Sequence, residues 1–157
     1  MTEERTLVPW LLGLAGLIPF WALALALLTG QTLGLSQVQV SFILAAYAAT
    51  IASFLGGMRW GLAVRETSQV SAWSDYVLSV VPQLLAWAAL ALPDRSRLVG
   101  LGVLIAVTGP LDLLLVRRRV APAWFGRLRL VLSLMAGAAL FVAALVSRLV
   151  AVDARTH

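Results

Sequence analysis

Four charged side chains lie within or beside the long apolar stretches of this sequence: Arg59, Asp75, Asp112 and Arg129. Two are arginines and two are aspartates, so they can neutralise each other as ion pairs. An unpaired charge at the centre of a bilayer costs at least about 2.5–3.5 kcal/mol. We therefore expect Arg59 to pair with Asp112, and Asp75 to pair with Arg129 or to share the same cluster. Alternatively, Arg59 alone extends to the lipid headgroups.

Neutral polar side chains accompany these charges at helical spacing. Ser79 and Gln83 follow Asp75 at four-residue intervals, and Thr108 precedes Asp112 by four residues. Side chains four residues apart share one helix face. The predicted polar cluster therefore consists of Arg59, Asp75, Asp112, Arg129, Ser79, Gln83 and Thr108. Two interpretations stay open: the cluster fixes the register of the helices, or it holds a ligand, an ion or a proton.

The sequence lacks the residues for most metal and nucleophile chemistry. It has no cysteine, and its one histidine is the last residue, His157. A zinc, haem or iron–sulfur site built on His or Cys has no ligands here, and we expect no cofactor. No Ser/His/Asp set is recognisable. Asp75 and Asp112 could form a carboxylate pair, but neighbouring arginines would keep both ionised, which suits an acid role poorly. We expect no enzymatic activity.

The elements that position these residues must lie in a membrane. The chain has 157 residues, of which 61% are hydrophobic and 12% charged, and its mean hydropathy is +0.95. A soluble domain is about half apolar and about a quarter charged. We predict a single membrane-embedded domain over residues 1–157. The net charge of +5 comes from arginines at the ends of apolar runs, where they meet lipid headgroups rather than nucleic acid.

A helix that spans a bilayer needs about 20 mostly apolar residues. The sequence predicts five such stretches, at Leu7–Leu28, Val38–Val64, Ala72–Leu92, Leu98–Val116 and Ala123–Val146. The expected fold is therefore an all-α integral membrane bundle of five transmembrane helices. The acidic start "MTEERTLVPW" lacks the basic region of a signal peptide, so we expect the first stretch to remain as a membrane helix.

The distribution of arginine predicts the orientation. Eight arginines fall on the side of the N-terminus: Arg5, Arg59, Arg65, Arg117, Arg118, Arg119, Arg127 and Arg129. Four fall on the other side: Arg95, Arg97, Arg148 and Arg155. Because positive residues are retained on the cytoplasmic side, we predict the N-terminus inside and the C-terminus outside.

The second stretch carries small residues at every fourth position. They are Ala45, Ala49, Ser53, Gly57 and Gly61. Small residues let membrane helices approach closely. We predict that the face formed by Ser53, Gly57 and Gly61 packs against another helix. Arg59 lies about 200° around the helix from Gly57 and points toward a different neighbour.

Several segments occur together in a recognisable order: "AYAATIASFLGGMRWGLA", "LSVVPQLLAWAAL", "LD" followed by "RRR", and "PAWFGRLRLVLS". The chain resembles a family of small polytopic membrane proteins of unknown function, found in many proteobacteria, with mitochondrial relatives called transmembrane protein 69-like. The resemblance extends from about Leu12 to Leu145. Its motif positions are Gly56, Gly57, Trp60, Gly61 and Trp124. It implies a multi-pass protein of the bacterial inner membrane and brings no established activity.

Two functions from different classes fit these observations. The first is a non-enzymatic accessory or assembly partner of a membrane complex, which the short loops and the small-residue face favour. Its partners would be the bilayer and other membrane proteins or further copies of the chain. The alternative is a carrier or sensor that binds a small molecule or an ion at the polar cluster. A lipid-modifying enzyme is the weakest alternative, because no catalytic motif is present.

Overall fold

The chain folds into helices joined by short connections. A computed structural model describes residues 4–64 and 69–153, with side chains described for 7–64 and 73–147. The helices are α1 Glu4–Ala15, α2 Ile18–Thr29, α3 Gln37–Ala63, α4 Gln69–Ala89, α5 Asp94–Arg117 and α6 Ala123–Asp153. No strand occurs in these ranges, so the predicted all-α class is confirmed. Some side chains of the arginine comparison lie outside the described residues: Arg5, Arg65, Arg148 and Arg155.

Four stretches are long and apolar enough to cross a membrane within the described part of the chain. They are Leu7–Thr29, Gln37–Ala63, Asp94–Arg117 and Ala123–Ser147. These four correspond to the first, second, fourth and fifth predicted spans. The remaining predicted span, Ala72–Leu92, falls largely on α4, which is helical but is not one of the four.

The first predicted span, Leu7–Leu28, is interrupted where α1 ends and α2 begins. Pro19 explains the interruption, because it has no N–H to donate to the carbonyl of Ala15 and its ring crowds that carbonyl. Beside the break, the hydroxyl of Tyr47 on α3 donates a hydrogen bond of 2.9 Å to the carbonyl oxygen of Gly16. The junction between α1 and α2 is therefore attached to α3.

The helices pack through small side chains and turn large ones outward. Ala45, Ala48 and Ala52 on α3 are fully buried, whereas Leu12 and Trp87 are 70% and 73% exposed. This inverted pattern suits a bundle whose surroundings are lipid, where close packing of small residues drives helix association. α3 packs along α4, α5 packs along α6, and α2 lies against both α3 and α6.

The close approach of α3 to α4 occurs at Gly56, not on the predicted face. A Cβ placed on Gly56 would collide with the carbonyl oxygen of Ser79 on α4. By contrast, no atom of the described residues lies within 4 Å of a Cβ placed on Gly57 or Gly61, and Ser53 is half-buried. The prediction that Ser53, Gly57 and Gly61 pack against another helix is wrong within this chain. The contact face is rotated by one residue, about 100°.

The adjacent glycines Gly56 and Gly57 make a matched test of this contact. Gly56→Ala should lower the free energy of unfolding by about 1–3 kcal/mol, because the new methyl group forces α3 and α4 apart. Gly57→Ala should not lower it and should raise it by up to about 1 kcal/mol, because its Cβ enters open space and alanine favours a helix more than glycine does. Reversible unfolding in mixed detergent micelles measures both values. Equal losses would contradict the assignment of the contact to Gly56.

Candidate functional site

Asp112 on α5 is held between two arginines from different helices. The Nε of Arg59 on α3 lies 2.9 Å from Oδ1 of Asp112. The Nε of Arg129 on α6 lies 2.7 Å from Oδ2. We call Arg59, Asp112 and Arg129 the charge triad. The predicted pair between Arg59 and Asp112 is therefore present, and Arg129 joins it on the second carboxylate oxygen.

The charge triad is buried and supported by hydroxyl groups. Its members are 3–8% exposed, and each lies roughly 6–9 Å from the near end of its helix at about 1.5 Å per residue. Thr108, one turn before Asp112, receives a long contact of 3.5 Å from Nη2 of Arg129. Its hydroxyl lies 3.2 Å from that of Ser133 on α6. Thr108 is among the residues predicted from the sequence, whereas Ser133 is not.

Gly109 allows α5 and α6 to approach each other beside the charge triad. A Cβ on Gly109 would lie 2.9 Å from Cβ of Ser133 and 3.1 Å from the carbonyl oxygen of Arg129. A larger residue would separate the two helices at the level where Arg129 reaches Asp112. The short distances in the charge triad thus depend on a neighbouring glycine.

Asp75 does not pair with Arg129. It is 5% exposed, and its Oδ2 lies 3.5 Å from Nη1 of Arg118, whose side chain is 47% exposed. Because Asp112 lies between α3 and α6, its two oxygens accept hydrogen bonds from both buried arginines. Arg118 follows the end of α5 and reaches back to Asp75. Of the two alternatives predicted for Asp75, the pair with Arg129 is therefore wrong, and a place in the same cluster stays a prediction.

The other two predicted cluster members on α4, Ser79 and Gln83, lie apart from the charge triad. Ser79 is buried, and its hydroxyl donates to the carbonyl oxygen of Tyr76 at 2.6 Å. Gln83 is exposed. A spacing of four residues advances about 40° around a helix at each step, so Gln83 lies about 80° from the direction of Asp75. This rotation moves Gln83 out of the predicted cluster.

The motif residues of the resemblance occupy three settings. Gly56 contacts α4, as described above, whereas Gly57 and Gly61 are exposed. Trp60 packs edge-on against Tyr76 of α4, with ring centroids 4.8 Å apart. Trp124, near the start of α6, lines the larger cavity described below.

A second carboxylate on α5 links the same three helices near their other ends. Asp94 accepts hydrogen bonds from Ser41 on α3 at 2.5 Å and from Ser147 on α6 at 2.9 Å. Asp94 and Asp112 are 18 residues apart, as are Ser41 and Arg59 on α3. This site is not among those predicted from the sequence. The sequence feature that could have predicted it is this repeated spacing, which is about five helical turns.

Two cavities adjoin the charge triad on different sides. The larger, which we call the cleft, has a volume of about 540 Å³ and lies between α1, α2, α3 and α6. The smaller has about 200 Å³ and lies between α3, α4 and α5. Arg129 contributes to both linings. The volume of the cleft falls within the range of about 300–1,000 Å³ typical of ligand sites.

The arrangement is suited to holding charge rather than to transferring protons. Both oxygens of Asp112 accept hydrogen bonds from guanidinium groups, and arginine does not release its proton in proteins. Within the described residues, no group of three or more His, Cys, Asp or Glu could hold a metal ion.

These features define a multi-pass membrane protein: a bundle of apolar helices with charges buried and paired in its interior. Comparison with known proteins agrees. The family described as "Protein of unknown function (DUF3429)" matches residues 6–145. The chain belongs to this family.

Two curated relatives carry the name Transmembrane protein 69. The protein of Xenopus tropicalis is 42% identical over 130 residues, which cover 80% of this chain and 49% of the relative. The protein of Mus musculus is 37% identical over 133 residues, which cover 78% of this chain and 49% of the relative. The chain thus spans about half the length of these relatives. No solved structure matches it.

Breaking the charge triad at Asp112 should strongly destabilise the protein. Asp112→Asn removes the carboxylate that pairs two buried arginines, and a buried charge without its partner costs about 3–5 kcal/mol. Adding Arg59→Gln should recover part of this loss, which a double-mutant cycle measures as coupling. Arg127→Gln is the control and should cost less than about 0.5 kcal/mol, because Arg127 is exposed on the same helix end as Arg129. Strictly additive losses at Arg59 and Asp112 would contradict the pairing.

Proposed function

We propose that the protein is a non-enzymatic membrane protein that binds a small amphipathic molecule in the cleft beside the charge triad. The observation that carries this proposal is the junction of a large apolar cavity with a buried charged group, Arg129. Ligand sites combine apolar walls with a few polar groups that orient the ligand. The proposal corresponds to the carrier or sensor of the sequence analysis, with its site moved from the centre of the polar cluster to the adjoining cleft.

The lining of the cleft supports this proposal. Phe20, Leu17 and Leu128 provide buried apolar surface, and Ser133 adds a hydroxyl near Arg129. Leu12 and Phe54 also line the cleft and are 70% and 66% exposed. The cavity therefore opens on the side of the bundle that faces lipid, and an apolar molecule can enter from the bilayer without crossing water.

A photoactivatable alkyl probe tests whether the cleft is a binding site. We expect labelling to concentrate on cleft residues such as Met58 and Leu132 when the purified protein is irradiated with the probe and mapped by mass spectrometry. Leu12→Trp should reduce this labelling severalfold, because it fills the opening of the cleft. Leu11→Trp is the matched control, because Leu11 is also exposed but does not line the cleft. Labelling spread evenly over outward side chains, including Trp87, would overturn the proposal.

An accessory or assembly role is the second candidate. It is favoured by Gly57 and Gly61, whose open face on α3 would let a helix of another membrane protein, or of a second copy, approach closely. Such a partner should copurify at fixed stoichiometry in mild detergent and should be lost on Gly57→Leu. Retention of the partner by that variant would place the interface elsewhere.

We also propose that α4 is a fifth membrane span. The contacts from Ser41 to Asp94 and from Arg59 to Asp112 mean that α3 and α5 run parallel. The chain must therefore return between the end of α3 and the start of α5. α4 has 21 residues, which gives about 31 Å at about 1.5 Å per residue. This length matches the hydrocarbon thickness of about 30 Å.

The proposed orientation follows the arginine comparison, with the charge triad near the cytoplasmic side of a bacterial inner membrane. Because the chain has no cysteine, single cysteines report topology directly. A membrane-impermeant maleimide should label Leu33→Cys and Ala91→Cys from outside, and Arg119→Cys only after permeabilisation. If α4 does not cross the membrane, Leu33→Cys and Ala91→Cys will label from opposite sides.

A further inference from the structure

The charge triad contains one more positive charge than negative charges. Arg59 and Arg129 each carry a charge that arginine retains in proteins, and Asp112 supplies one carboxylate between them. The other buried aspartate at this end, Asp75, pairs with Arg118 instead. Within the described residues, the charge triad therefore has a net charge of +1 in a layer where uncompensated charge is costly.

The charge triad borders both cavities: Arg129 lines the cleft, and all three members line the smaller cavity. Arg129 is the charged side chain of the cleft lining, and its Nε contacts Asp112 from one side of the cavity wall. An anionic group in the cleft near Arg129 and Ser133 would bring the local charge to zero. Charge complementarity thus selects an anionic ligand, while the apolar walls select one with a hydrocarbon chain.

The dimensions of the cleft select a membrane lipid. Along α6 its lining extends from Trp124, at the arginine-rich end, to Ala136. This separation of 12 positions corresponds to about 18 Å at about 1.5 Å per residue, close to half of the hydrocarbon thickness of about 30 Å. The cleft is therefore about one leaflet deep, and Arg129 lies in the half of the cleft nearer its arginine-rich end. A lipid of that leaflet can place its headgroup there with its chain directed inward.

We propose that the cleft binds an anionic phospholipid, with the phosphate-bearing headgroup at Arg129 and an acyl chain among the apolar side chains of α1, α2, α3 and α6. This inference rests on the proposed ligand-binding function and names its ligand class. Arg127 provides the internal comparison, because it lies two residues before Arg129 at a similar depth but is exposed and does not line the cleft.

Native mass spectrometry of the purified, delipidated protein tests the proposal with two probes of identical chains. Dioleoyl phosphatidylglycerol is anionic, and dioleoyl phosphatidylcholine is zwitterionic. We expect one molecule of the anionic lipid to bind at least about fivefold more tightly, the effect of roughly one basic residue near a membrane surface. Millimolar inorganic phosphate should not displace it, because phosphate lacks the chain. Displacement by phosphate would identify a site for free anions and overturn the proposal of a lipid ligand.

Substitutions test whether Arg129 causes the preference for the anionic lipid. Arg129→Gln should abolish the preference, and it leaves Arg59 and Asp112 as a neutral pair. Arg129→Lys should retain most of the preference, and Arg127→Gln should leave it unchanged. If Arg127→Gln loses as much preference as Arg129→Gln, the attraction is a general surface effect and the proposal is wrong. If Arg129→Gln does not fold, Leu12→Trp must still lower binding of both lipids relative to Leu11→Trp.

The outcomes separate this inference from the function on which it rests. Equal binding of the two lipids, together with cleft-specific labelling by the neutral alkyl probe, would reject the anionic headgroup and leave the ligand cleft in place. Absence of cleft-specific labelling would reject both.

Discussion

The carboxylate of Asp112 determines how α3, α5 and α6 fit together. Each of its oxygens is within hydrogen-bond distance of a different arginine, at 2.9 and 2.7 Å, in a region with few other polar groups to replace either contact. A shift of one helix by a single turn, about 5.4 Å, would leave a buried charge unpaired. The register of the three helices is therefore set by electrostatics, while small residues such as Ala52 and Gly109 make the necessary distances attainable.

Asp94 repeats this constraint about 27 Å away along α5, given 18 residues at about 1.5 Å each. Its partners on α3 and α6 are the neutral hydroxyl groups of Ser41 and Ser147, and Arg97 on α5 itself lies 3.9 Å from its Oδ1. Two fixed points on each helix prevent both sliding and rotation. The two fixed points therefore differ in charge: Asp112 is paired with two buried arginines, whereas the contacts of Asp94 to α3 and α6 are made by hydroxyl groups.

The sequence predicts the helices and the pair of Arg59 with Asp112. Both predictions rest on depth in the bilayer, and depth can be counted in residues from the end of an apolar stretch. Direction around a helix is harder to predict. An error of one residue, about 100°, separates Gly56 from Gly57, and a drift of about 80° removes Gln83 from the cluster. The role of Asp94 was not predicted, because a charge at a helix end is ordinarily satisfied by headgroups. The cleft depends on the break between α1 and α2 before Pro19. Hydropathy does not predict the geometry of that break.

The position of the charge triad along the chain has a consequence for synthesis of the protein. Arg59 is made 53 residues before Asp112, and at about 5–20 residues per second this is a delay of roughly 3–10 s. During that time α3 has no buried carboxylate on α5 to neutralise its arginine. Since Arg59 lies only about 6 Å from the end of α3, its long side chain can reach the headgroups while it waits. The pairing of Arg59 is therefore completed only when α5 has been made, so the contacts of an early helix depend on the insertion of a later one.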